Sequence, residues 1–107
     1  MVYELRIYKI LPGRMPKIQE RFANVTTKLF KKHGIDAVGF WDTVVGESDE
    51  FIYLVRYKNL AEREAKWAAF AQDPEWQQAK KASEADGPIV ANVINKILSP
   101  APFSPMQ

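Results

Sequence analysis

The order in which two residue periodicities follow each other does most to limit what this chain can fold into. Val2 to Leu11 alternates by twos: Tyr3, Leu5 and Ile7 point one way, and Glu4, Arg6 and Tyr8 the other, as in a strand with two unlike faces. Pro12-Gly13 ends it with a turn. From Met15 to His33 the spacing becomes helical, with Ile18, Phe22, Val25 and Leu29 on one stripe, and Gly34 is placed to stop the helix in the left-handed conformation. Strand-like stretches return over Asp36 to Val45 and Glu50 to Lys58, joined by a turn at Gly46-Glu47-Ser48-Asp49. A second helix carries Leu60, Glu64, Trp67 and Phe70. Asp73-Pro74-Glu75 then restarts a helix, with Asp as cap, Pro in the first position and Glu at the positive end of the dipole. Gly87-Pro88 closes that segment, and the β-branched run Ile89 to Leu98 makes a fourth strand.

Strand–helix–strand–strand–helix–strand is the ferredoxin-like βαββαβ order, an α+β domain with a four-stranded antiparallel sheet. Its first and third strands should be central neighbours. Each helix has one apolar stripe, so both should cover the same sheet face. The domain is expected over residues 1–99, followed by a Pro-rich extended tail over 100–107.

The two sheet faces differ. Tyr3, Leu5 and Ile7 with Phe51, Tyr53, Val55 and Tyr57 form the more apolar set and are expected under the helices. Glu4, Arg6 and Tyr8 with Ile52, Leu54 and Arg56 are then left on the other face, too apolar for water and too charged for a dry core. A second copy laid over that face would resolve the conflict. Glu4, Arg6, Tyr8, Leu54 and Arg56 are therefore the candidates for a dimer interface or barrel interior, their charges paired within or across a two-fold axis.

Composition removes several function classes. The charge of +2 comes from 15 basic and 13 acidic residues spread along the chain, which speaks against nucleic acid as a partner. The cluster Lys28, Lys31, Lys32 and His33 is read as cations at a helix end. With no cysteine and one histidine, the chain lacks disulfides, thiolate chemistry and any intrachain two-imidazole metal site. No apolar run is long enough to span a membrane and no leader segment is visible, so a cytoplasmic protein is expected.

Several short segments carry a resemblance to the NIPSNAP family of the dimeric α+β barrel superfamily. They are Tyr3-Glu4-Leu5-Arg6-Ile7-Tyr8 with Pro12-Gly13, Lys32-His33-Gly34, Val38-Gly39-Phe40-Trp41, Leu60-Ala61-Glu62-Arg63, Asp73-Pro74-Glu75-Trp76 and Pro102-Phe103-Ser104-Pro105. Each is weak alone, but six in this order are specific. The resemblance implies two four-stranded sheets facing each other in a barrel with helices outside, and it implies little about activity. Animal members are mitochondrial and linked to trafficking and mitophagy, whereas this chain looks like the short bacterial form. Related dimeric barrels include cofactor-free monooxygenases and haem-degrading enzymes, which use a cleft between helices and sheet.

His33, Trp41, Tyr53, Trp67 and Trp76 are the candidates for lining such a cleft: a titratable imidazole, a tyrosine and three broad apolar rings. Asn92 and Asn95 are further hydrogen-bonding candidates on opposite faces of the last strand. No Ser/His/Asp set, phosphate loop or carboxylate metal cluster can be assembled, and no cofactor is expected. The expected protein is a homodimer holding a small apolar or aromatic molecule. The alternatives are a monooxygenase-like or haem-handling enzyme, which needs an open cleft with polar groups, and an interaction scaffold, which needs that space filled.

Overall fold

The computed structural model describes residues 1–107. The elements are β1 (Val2–Ile10), α1 (Met15–Arg21), a π-helical turn (Phe22–Thr26), α2 (Thr27–Lys32), β2 (Asp36–Asp42), β3 (Glu50–Tyr57), α3 (Leu60–Gln72), α4 (Pro74–Ser83) and β4 (Val90–Leu98). The sheet order is β2-β3-β1-β4, antiparallel throughout, so β1 and β3 are the central neighbours. The sheet has the expected ferredoxin-like arrangement.

Element ends follow local chemistry. Gly34, at φ 69°, reverses the chain after α2, and the Ile35 amide reaches back to the Phe30 carbonyl at 2.8 Å. Asn59 accepts from the Glu62 amide at 2.8 Å to start α3, and Asp73 accepts from the Glu75 amide at 2.9 Å to start α4. Arg14 grips Asp86 through two hydrogen bonds of 3.0 and 2.9 Å, tying the entry of α1 to the loop before β4.

Four expectations are corrected. The first helix is not uniformly α: Phe22–Thr26 is a π turn. Its buried positions accordingly step by four, through Ile18, Phe22, Thr26 and Phe30. The second strand stops at Asp42, and Val44 and Val45 stand almost fully exposed in the loop before β3. The tail is not extended throughout, because Ala101 to Ser104 makes a turn closed by a 2.9 Å backbone bond. It folds back on the sheet, where the Tyr3 hydroxyl donates to the Gln107 carbonyl at 2.7 Å.

The fourth correction concerns the sheet faces. Residues opposite one another in an antiparallel pair share a face, and the register sets Glu4 against Val55, Arg6 against Tyr53 and Tyr8 against Phe51. Phe51, Tyr53, Val55 and Tyr57 do lie in the core beneath the helices, but Glu4, Arg6 and Tyr8 lie there with them. The open face carries Tyr3, Leu5 and Ile7 with Ile52, Leu54 and Arg56. The charged residues can occupy the covered face because α3 and β4 bring them partners. Arg63 donates to both oxygens of Glu4 at 2.9 and 3.0 Å, Arg6 at 2.9 Å and Asn95 at 2.9 Å. Leu54 and Arg56 alone of the interface candidates keep the face expected of them.

Candidate functional site

A cavity of about 480 Å³ opens between the helices and the covered sheet face, a size ordinary for small-molecule sites. Its helical wall is a continuous row of aromatic rings. Phe30 lies 6.0 Å from Trp67, Trp67 lies 5.4 Å from Phe70, and Phe70 lies 4.7 Å from Trp76. Trp67 and Phe70 share one face of α3, three residues apart, and the Asp73-Pro74 break aims Trp76 back at them.

The sheet side is polar. Arg6 Nε donates to the Tyr53 hydroxyl at 2.8 Å, and the Tyr53 and Tyr8 hydroxyls are 2.9 Å apart. Two hydroxyl protons serve one mutual bond, so one O–H remains to be offered to the cavity these tyrosines line. Burial pushes the Tyr53 phenol well above its ordinary range, which keeps it neutral. It is a hydrogen-bonding group, not a base. Burial also opposes the charge on Arg6, but Tyr53, Tyr8 and Glu4 outweigh it and raise its pKa. The guanidinium stacks 4.5 Å from the Trp67 ring centre.

A second arginine stands at the other end of the aromatic row. Arg21, 5.1 Å from the Trp76 ring centre, donates from Nη1 to the Ser83 hydroxyl at 3.1 Å and lies 3.5 Å from Glu84. Its Nε is buried without a hydrogen-bond partner, as is the Thr26 hydroxyl, and both residues line the cavity. Burial outweighs Tyr8 and Glu84 here and lowers the Arg21 pKa.

Of the sequence candidates, Tyr53, Trp67 and Trp76 come together around this cavity. His33 does not. Its Nε2 shares a 2.7 Å hydrogen bond with Asp73, which also accepts from Lys32 at 2.9 Å. These bonds pin the end of α2 to the α3–α4 junction. Lys32 first, then His33 and the Glu75 amide, holds the Asp73 carboxyl far below its usual range. Trp41 is also elsewhere: it is 51% exposed on the open face, its ring lying over Gly39, where a Cβ would come within 2.8 Å of it. Asn95 is committed to Glu4, whereas Asn92, opposite Lys9 on β4, also lines the cavity.

Sequence reading missed Arg21 and Thr26. An α-helical wheel places them on different sides; the π turn, which closes i→i+5, brings residues five apart onto one side. The available signal was the four-residue step through Ile18, Phe22, Thr26 and Phe30.

Residues 3–105 match the NIPSNAP family model. Protein NipSnap of Drosophila melanogaster is 24% identical over 106 residues, which are 99% of this chain and 37% of that protein. The chain spans roughly a third of the length of the curated relatives it matches. Among solved structures, a NIPSNAP family protein of unknown function from Agrobacterium tumefaciens superposes with a TM-score of 0.88 at 26% identity, covering 100% of this chain and 94% of that one. At 16% identity a variant of MhuD with two manganese protoporphyrin IX molecules bound per active site shares the fold alone, with a TM-score of 0.65 over 92% of this chain and 93% of that one.

Proposed function

The chain belongs to the NIPSNAP family, and on that premise we propose that it acts as a homodimer in which each subunit holds a small aromatic or apolar molecule between helices and sheet. The observation that carries the reading is the cavity itself: an open space between helices and sheet walled by Phe30, Trp67, Phe70 and Trp76. A scaffold would gain stability by filling that space. The dimer reading is supported by the open face, where Leu5, Ile7, Ile52 and Leu54 are only half-buried and Trp41, Ile94 and Leu98 are exposed.

Enzymatic alternatives find less support in the side chains. Haem handling through a histidine ligand would need His33 in the cavity, and it is tied to Asp73 outside it. Base-assisted oxygenation would need a proton acceptor there. Tyr53 is held neutral, and Glu84, the carboxylate in the lining, faces Arg21.

Isothermal titration with 2-naphthol, a neutral bicyclic aromatic, tests the ligand reading. One site per subunit is expected, weakened about tenfold by Trp76→Ala through loss of a stacking surface. Absence of binding heat to about millimolar concentration would remove the reading.

A further inference from the structure

We propose that the ligand of this cavity is a phenol bound as its phenolate, the ring against the Trp67–Phe70–Trp76 wall and the anionic oxygen accepting the Tyr8 O–H. The inference rests on the ligand-binding reading above and deepens it by assigning the polar atom of the molecule and its charge.

The direction of a three-residue hydrogen-bond relay determines which group is offered. Arg6 Nε can only donate, so the Tyr53 oxygen accepts from it at 2.8 Å. Tyr53 is fully buried and makes one other side-chain hydrogen bond, 2.9 Å long, to the Tyr8 hydroxyl. Were Tyr8 the donor in that bond, the Tyr53 proton would be sealed in the core without an acceptor, which is costly. Tyr53 therefore donates to Tyr8. The Tyr8 O–H is then the free end of the relay, on a half-buried residue that lines the cavity. A chain of bonds that starts on a cation polarises each hydroxyl in turn, so this O–H is a stronger donor than that of an isolated phenol.

Charge decides what meets that donor. A single O–H suits a single accepting oxygen, and the field around it is positive. Behind Tyr53, Arg6 and Arg63 share one buried carboxylate, Glu4. Around the cavity, Arg6, Arg21 and Lys80 stand against one carboxylate, Glu84, which faces Arg21. Lys80 lies one helical turn beyond Trp76 on α4, exposed, its ammonium without a hydrogen bond or ion pair. Water screens that ammonium, so it draws an anion toward the cavity without fixing its place. Tyr8 fixes the place. An oxygen carrying negative charge makes the stronger bond there than a neutral carbonyl does. The phenol's proton leaves to water, so the cavity needs no base. Arg6 joins donor and wall, its guanidinium 5.7 Å from the Tyr8 ring centre and 4.5 Å from that of Trp67.

The test uses 4-nitrophenol, which titrates near neutrality and absorbs strongly in the visible only as its anion, beside 4-nitroanisole, which has the same ring and no proton to lose. Absorbance against pH at saturating protein should place the bound phenol's ionisation at least about one pH unit below the free value, a tenfold preference for the anion. The shift should collapse toward zero in Tyr8→Phe, which removes one oxygen. Lys80→Gln should trim it by only a few tenths of a unit (~0.3) at low salt, a loss that fades at about 0.5 M salt. An unshifted phenol in a wild type that binds 4-nitroanisole by isothermal titration would overturn the assignment while leaving a ligand-binding cavity. So would a shift that survives Tyr8→Phe, or one that Lys80→Gln abolishes. Failure of both probes to bind would remove the ligand reading and this inference with it. Circular dichroism melts monitor folding. Should Tyr8→Phe fail to fold, the wild-type shift and Lys80→Gln, altered at an exposed position, still decide.

Discussion

The two faces of one sheet have divided the work of this molecule. The covered face holds Glu4, Arg6, Tyr8 and Tyr53, a connected polar network placed among aromatic rings. The open face is mostly aliphatic, with Leu5, Ile7, Ile52 and Leu54 at its centre and Arg56 at one end. A purely hydrophobic accounting would exchange them. Polarity tolerates burial when every charge has a partner, and an aliphatic face tolerates exposure only until another surface covers it. The covered face is therefore where specificity can be built, and the open face is where association is driven.

The largest effect should come from breaking the covered network. Glu4 has no exposed surface and accepts four hydrogen bonds from Arg6, Arg63 and Asn95. Glu4→Gln would leave two arginines without their anion. The expected cost is about 3–5 kcal/mol, seen as a fall in melting temperature on the order of ten degrees or more. The same carboxylate makes stability depend on pH. Burial works against its charge, but Arg63, Asn95 and Arg6 outweigh burial and hold its pKa below the ordinary 4.5. Its contribution is thus complete above that value and is lost as pH falls through the folded pKa. Wild type should lose stability on acidification below 4.5 more steeply than Glu4→Gln, which keeps only the slope from Asp73 and weaker groups. Identical acid slopes would mean that folding does not lower the Glu4 pKa.

The open face is tested next, by Leu54→Asp. In an isolated subunit this half-exposed position should accept the change with little effect on melting. In a dimer that stacks the open faces, the aspartate would be buried without a partner and should weaken association about ten- to a hundredfold. Sedimentation of wild type and variant over a concentration series reads this directly. A wild-type protein that sediments as a monomer throughout would remove the homodimer from the proposal.

Much of this division was legible in the sequence, but its polarity was not. The change from two-residue to helical periodicity predicts all four strands and the helices between them. Parity within β1 could not be read the same way. It depends on whether Glu4 and Arg6 find partners, and Arg63 lies 59 residues away, on a helix whose placement no local pattern specifies. The cavity was half legible: Trp67 and Trp76 announce an aromatic wall, while Arg21 and Thr26 depend on a π turn that helical propensities do not encode. His33 was misleading for a plain reason, since a lone imidazole at a helix end finds its nearest carboxylate, here Asp73, before it finds a cavity.

The smallest effect sharpens the comparison most, because it sets one ion pair against another. Arg56 donates from Nε and Nη2 to one oxygen of Asp36, Oδ2, at 2.9 and 2.7 Å, distances as short as those around Glu4. Yet the two side chains are 41% and 52% exposed, so water competes for both charges. Arg56→Ala should leave the melting temperature of the dilute protein unchanged within error. If the open faces stack as proposed, Arg56 sits toward the rim of the contact, and its loss should weaken association less than Leu54→Asp does. A large fall in melting temperature for Arg56→Ala would show that charge on the open face is as structural as charge on the covered one, and the division between the faces would no longer hold.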